Sequence, residues 1–175
     1  NKRYYLLKEI NFLFLIFICF LNSGCLENNT HEEKKFFIII KVIDGDTYTL
    51  DNGDKIRLIG IDTPEMRDSE KLDKDADKSG QSKETIKKLG SLATEFARKN
   101  FEGKKVYLEK EPGEDKDRYG RLLRYVYLED GRCINAILIE QGYAYVYDRF
   151  PFTKQTEFRK LFKEARENKK GLWAD

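Results

Sequence analysis

Apolar positions along this chain recur at two different spacings, and the spacing separates strands from helices. Phe36–Ile43 is a nearly unbroken apolar run rich in β-formers. Tyr48–Leu50 continues as a strand, Asp51-Asn52-Gly53 forms a hairpin turn, and Lys55–Ile61 returns. Lys104–Glu109 and Leu122–Tyr127 are further strands, followed by a turn at Glu129-Asp130-Gly131. Helical spacing appears in three places. Leu89, Leu92, Ala93, Phe96 and Ala97 form one stripe, and Ile134, Ile137, Leu138 and Gln141 a second that ends at Gly142. Phe158, Leu161, Phe162 and Ala165 form the third, closed by Lys169-Lys170-Gly171. Strands dominate first and helices follow, which predicts an α+β fold or a barrel with attached helices.

Residues 67–84 follow neither period. Lysines alternate with acids there, which predicts a solvated, mobile loop. Asp73, Asp75 and Asp77 share the spacing that opens an EF-hand loop, and Glu84 falls at its twelfth position. Lys78 stands where such a loop needs glycine, so the spacing weighs little.

The N-terminus has a different pattern. Lys2, Arg3 and Lys8 precede ten apolar residues, Phe12–Leu21, and Asn22-Ser23-Gly24 then lead to Cys25. Basic, apolar and small residues in that order mark residues 1–25 as an export segment. The run is too short to serve comfortably as a permanent membrane-spanning helix. Ser-Gly-Cys resembles a prokaryotic lipobox, with Cys25 as the lipidated residue, although Asn22 occupies the usual leucine position and Leu21 lies one residue early. The resulting expectation is a lipoprotein anchored at the cell surface, with plain secretion as the alternative. Residues 26–35 are polar and aperiodic and read as a tether to a domain at 36–174.

Charge then narrows the function. The 175-residue chain has a net charge of +2, and Lys2, Arg3 and Lys8 against Glu9 account for all of it. The body is therefore formally neutral and lacks the broad basic field of a nucleic-acid coat protein. Any phosphate binding must come from a local cluster. The sole histidine, His31, lies in the tether, which excludes a histidine base, a zinc site or a Ser-His-Asp triad in the domain. Of Cys19, Cys25 and Cys133, the last precedes an apolar run and reads as a buried packing residue.

What remains for chemistry is carboxylates, arginines and tyrosines. Asp44-Gly45-Asp46-Thr47 and Arg57 through Glu65 lie on strands joined by a hairpin, which lets Asp46 and Asp62 meet. Either acidic turn alone would more often be structural. Two carboxylates, a backbone carbonyl and waters suffice for a modest hard-cation site. Pro64 stiffens the loop that carries Glu65. Arg57 and Arg121 are able to hold a phosphate transition state through forked, charge-assisted hydrogen bonds. Tyr143, Tyr145 and Tyr147 alternate, which on a strand places them on one face, either to stack on bases or to pack a sheet.

Ile43 through Thr47, Arg57 through Glu65, Asp117-Arg118-Tyr119-Gly120-Arg121, the Asn135–Gly142 helix and Gly171-Leu172-Trp173 occur in an order that closely resembles the staphylococcal nuclease family. The resemblance covers residues 36–174. It implies an OB-fold, a five-stranded β-barrel with about three appended helices, and calcium-dependent hydrolysis of DNA and RNA that leaves 3′-phosphates. Carried over by position, Asp46, Asp62 and the Thr63 carbonyl hold one calcium ion. Asp44 is an acid near that metal, Glu65 positions or deprotonates the attacking water, and Arg57 and Arg121 bind the phosphate. Arg118, Tyr119, Tyr145 and Tyr147 fall at the nucleotide pocket. The implied partners are single-stranded or frayed nucleic acid, bound by a monomer. The competing reading is a catalytically silent OB-fold lipoprotein that only binds nucleic acid. Every catalytic position is filled here, which favours hydrolysis.

Overall fold

The computed structural model describes residues 34–79 and 81–174. Residues 1–25, where an export segment is expected, Cys25 among them, and most of the expected tether lie outside the described residues. Five strands close a barrel in the order β1-β2-β3-β6-β5. Strand β1 is Phe36–Asp44, β2 Thr47–Leu50, β3 Lys55–Leu58, β5 Lys105–Glu109 and β6 Leu122–Leu128. All neighbours are antiparallel except β3 and β6, which run parallel with Arg57 opposite Leu123. This is the expected OB-type α+β fold.

The inward positions fill the barrel with fully buried side chains, among them Ile39, Tyr48, Leu50, Ile56, Leu58 and Val126. In β3 burial alternates, with Ile56 and Leu58 inside and Lys55 and Arg57 turned outward. Helix α2, Lys83–Phe101, lies against β1, with Ala93, Ala97 and Phe101 buried. Helix α3, Ile134–Glu140, packs against β6. Its buried Asn135 accepts from Val126 N (3.0 Å) and donates to the carbonyls of Ile59 (3.0 Å) and Arg124 (3.3 Å). Helix α4, Gln155–Glu167, packs on α3. These three helices match the three apolar stripes.

Two elements differ from the sequence pattern, and both shape the site. The strand expected over Lys55–Ile61 breaks at Gly60, which has φ +73°, a left-handed value that a β-branched residue there would resist. The chain leaves the barrel, and a short strand β4, Ile61–Asp62, pairs instead with β7, Tyr145–Val146. The second difference is a fourth helix, α1, at Glu70–Ser79, inside the segment expected to be a mobile loop.

Helix α1 has local causes. Ser69 Oγ accepts from Leu72 N at 3.1 Å as an N-cap, and Glu70 and Asp73 place negative charge in the first turn. Leu72 is fully buried and anchors the helix. Lys83–Asp73 and Lys87–Asp68, both at 2.7 Å, tie the segment to α2. Helical geometry also removes the EF-hand reading, because Asp73 and Asp77 sit on a helix and not in a ligand loop. Among the described residues no group of three or more carboxylate, histidine or cysteine side chains is placed to hold a metal ion by itself.

Candidate active site

The turn between β1 and β2 delivers the first carboxylate. Asp44 Oδ1 accepts from Asp46 N at 3.3 Å, so Asp44 shapes the turn that presents Asp46. Beneath it, the Tyr48 hydroxyl donates to the Gly45 carbonyl at 3.1 Å. Burial, reinforced by the Asp44 charge, pushes the Tyr48 phenol well above its ordinary range, so it stays a neutral donor.

Asp46 is buried and its hydrogen-bonding capacity is well used. Oδ2 accepts from Thr63 N (2.9 Å) and Thr63 Oγ1 (3.1 Å), and Oδ1 accepts from Thr47 Oγ1 (3.2 Å) and is ion-paired with Arg57 Nη1. Arg57 is registered opposite Thr47 in the β2–β3 ladder, which points its side chain at this corner. Its Nη2 donates to Asp62 Oδ1 at 2.7 Å and to the Ile61 carbonyl at 3.2 Å. One guanidinium thus clamps both expected metal carboxylates in a forked arrangement that lysine could not reproduce.

Arg121 comes from the turn before β6 and is held by Asp117. Nε donates to Asp117 Oδ2 at 2.7 Å, and the Arg121 and Tyr119 amides donate to Oδ1 at 3.0 and 2.9 Å. Burial alone would raise the Asp117 carboxyl; these hydrogen bonds and the Arg121 charge hold it below its ordinary value. Arg121 Nη1 donates to Thr47 Oγ1 at 3.0 Å. Since Thr47 donates onward to Asp46, Arg121 and Arg57 belong to one hydrogen-bonded network.

Glu65 follows Pro64 and is half-buried. Its backbone rests on α2 at Gly90, where an added Cβ would come within 2.5 Å of Pro64 O and 2.7 Å of Glu65 C. The absence of a side chain at Gly90 therefore sets how closely α2 supports Glu65.

Lys71 of α1 enters the same site. Its ammonium lies 2.9 Å from Asp62 Oδ1, 3.2 Å from Thr63 O and 2.9 Å from Glu65 Oε1. Burial alone would lower its pKa, but the Asp62 and Glu65 carboxylates outweigh burial and raise it, so it is fully charged near neutrality. The donor set fits a hard cation. Two carboxylates and a carbonyl converge, and two of these three groups already share a cation supplied by the chain itself.

The expected nucleotide residues fall into two groups. Tyr119 is 68% exposed, with the guanidinium carbons of Arg118 and Arg121 at 4.7 and 5.4 Å from its ring centre. That is an open stacking surface flanked by positive charge. Tyr143, Tyr145 and Tyr147 do not share one strand face, because β7 is only two residues long. Tyr143 stacks on Phe96 at 4.1 Å, Tyr145 packs edge-on to Trp173 at 5.3 Å, and Tyr147 lies near Phe150 at 6.4 Å. Cys133 is only half-buried at the N-cap of α3, with burial raising its thiol pKa.

Sequence reasoning singled out neither Lys71, Thr47, Asp117 nor Gly90 as a functional position. Thr47 and Asp117 lie inside quoted motifs, and their side-chain chemistry was available as a signal. Lys71 and Gly90 carried none, since their importance is set by tertiary approach.

With this geometry in hand, comparison with known proteins is specific. Residues 55–175 match the family model described as staphylococcal nuclease homologue. The chain is 35% identical over 155 residues to an uncharacterized protein of Methanocaldococcus jannaschii, covering 83% of this chain and 74% of that one. It is 31% identical over 157 residues to the thermonuclease of Staphylococcus hyicus, covering 87% and 82%. It is 30% identical over 143 residues to an uncharacterized endonuclease of Escherichia coli, covering 78% and 76%. The barrel, the paired carboxylates bridged by Arg57 and these matches agree, and the chain belongs to the staphylococcal nuclease family.

Proposed function

We propose that this protein is a calcium-dependent nuclease that hydrolyses phosphodiester bonds of DNA and RNA and leaves 3′-phosphates. Family membership and relatives named as nucleases carry the coarser statement, a hydrolytic nuclease. The observation that supports the finer reading is the continuous network joining Arg57, Asp46, Thr47 and Arg121.

Asp46, Asp62 and the Thr63 carbonyl would hold one calcium ion. Bound there, the ion would polarise the phosphoryl oxygen and draw charge from it. Glu65 accepts a proton from the attacking water as the new oxygen–phosphorus bond forms. The bond from phosphorus to the 5′ oxygen breaks, and that oxygen takes a proton from solvent and leaves as a hydroxyl. Arg57 and Arg121, held in place by Asp62 and Asp117, take up the extra charge on the equatorial oxygens. Tyr119 and Arg118 receive the neighbouring base and phosphate of a single-stranded or frayed substrate. Tyr145 and Tyr147 are assigned to the wall of the nucleotide pocket.

The protein acts as a monomer, exported and held at the cell surface by lipid on Cys25 or, alternatively, secreted. Cleavage of single-stranded DNA and RNA with calcium, with chelator, and after calcium is restored tests the enzymatic reading. Activity should vanish with chelator and return with calcium. Binding without cleavage in calcium would favour the silent lipoprotein instead. Membrane fractionation of the Cys25→Ser protein tests the anchor, and unchanged retention and processing would remove it.

A further inference from the structure

We propose that Lys71 is a tethered cation that occupies the metal position and competes with the divalent ion for it, so that α1 sets the metal affinity of the site; this rests on the calcium reading above. The geometry carries the inference. Three oxygens surround the Lys71 ammonium within 3.2 Å, and they belong to Asp62, Thr63 and Glu65. Asp62 Oδ1 and Thr63 O are oxygens that the metal would need. A divalent ion and an ammonium cannot both lie against the same carboxylate oxygen without strong repulsion. Metal binding therefore requires Lys71 to withdraw.

Withdrawal is physically accessible. The Lys71 side chain is 37% exposed and long enough to swing toward water, whereas Leu72 beside it is fully buried and keeps α1 docked. The segment is also held by ion pairs at its flanks, Lys83–Asp73 and Lys87–Asp68, which do not involve the site. The ammonium can leave while the helix stays, or the helix can loosen with it.

Lys71 also covers Glu65. While it is bound there, the carboxylate has a cationic partner in place of a water. The same withdrawal that admits the metal therefore releases the base. This couples metal entry to exposure of Glu65 through one side chain.

The test measures calcium binding to the full chain by calorimetry in the absence of nucleic acid. The wild type, Lys71→Met and Lys74→Met are compared. Lys74 lies on the same helix, 69% exposed, and pairs only loosely with Glu70 at 3.9 Å. Its substitution therefore reports the general effect of removing one positive charge. Lys71→Met should bind calcium roughly tenfold tighter, as expected for loss of two partly exposed ion pairs, and Lys74→Met within about twofold of the wild type. Equal or weaker calcium binding by Lys71→Met, or tightening matched by Lys74→Met, overturns the proposal while leaving the calcium reading intact. No calcium binding by any of the three proteins overturns both.

Discussion

Asp117 should govern catalysis through Arg121 alone, and a double-mutant cycle can show it. Asp117 receives Arg121 Nε at 2.7 Å and the Arg121 amide at 3.0 Å. The two side chains are 17% and 25% exposed, so solvent screens their interaction only partly. Hydrogen bonds to a charged partner in such a setting contribute about 1.5–3 kcal/mol. Asp117→Asn keeps the size and one acceptor oxygen but removes the charge. Arg121 then loses its orientation while keeping its own charge, and kcat should fall about tenfold. Arg121→Ala removes the donor itself and should cost roughly 10²–10³ in kcat, or about 2.7–4 kcal/mol.

The combined variant decides the matter. If Asp117 acts only by aiming Arg121, the double variant should be no slower than Arg121→Ala. The assay is kcat and KM on single-stranded DNA with calcium, with circular dichroism confirming the fold. Additive losses would mean that Asp117 has a separate role and would refute this account. Stability provides an independent check. The Asp117 carboxyl has a lowered pKa in the folded protein. Its stabilisation is therefore present above the unfolded value, near 3.8, and is lost as pH falls through the folded value. The Tm gap between wild type and Asp117→Asn should be full at pH 7 and close in strong acid.

Glu65→Gln should lower kcat by about 10²–10⁴ with nucleotide binding retained, because the amide keeps the shape and loses the basicity; near wild-type cleavage would place the base elsewhere. Arg57→Lys should be nearly as damaging as Arg57→Ala in kcat/KM, since an ammonium cannot span Asp46 and Asp62 together. Gly90→Ala should reduce kcat at least tenfold and cost about 1–3 kcal/mol in denaturant unfolding, because the new methyl meets the Pro64 and Glu65 backbone. Wild-type kcat and stability in that variant would show that the loop yields freely. Asp46→Ala should weaken calcium binding in calorimetry far more than Asp73→Ala, whose carboxylate is 59% exposed and faces Lys83; the opposite order would move the metal to α1.

The parts legible in the sequence were those whose cause is local. The barrel strands carry a period of two with turn residues between them, and α2, α3 and α4 each present an apolar stripe. Helix α1 presents none: Leu72 is the one fully buried residue among those described in it, and its other links to the fold are polar, Asp73 to Lys83 of α2 and Lys71 to Asp62 and Glu65. A strand of alternating charges looks the same whether it is solvated or docked, so the segment read as loop. The same holds within the site. Asp46, Asp62 and Arg57 are adjacent through a hairpin, which sequence can supply. Lys71 is one lysine among several in its segment, and only the docking of α1 sets it apart. The three C-terminal tyrosines erred in the other direction, because alternation implied a strand that ends after two residues.

The neutral body of the protein has a measurable consequence. A dedicated coat protein spreads cations over a long footprint, and its affinity falls steeply with salt. Here the net charge of +2 is accounted for by the first nine residues, and within the domain Arg57 and Arg121 are each matched by an acid. The cations aimed at substrate are Arg57, Arg118 and Arg121. Each phosphate neutralised on a single strand contributes about −0.7 to the slope of log affinity against log salt. Three contacts predict a slope of roughly −2 for a single-stranded oligonucleotide. Fluorescence anisotropy with the Glu65→Gln protein, across about 50–200 mM salt, measures binding without cleavage. Arg118→Ala should flatten the slope by about 0.7 with little change in kcat. A wild-type slope steeper than about −5 would require cations beyond the site to hold the strand, and recognition would then rest on a wider surface than the two arginines and their neighbour.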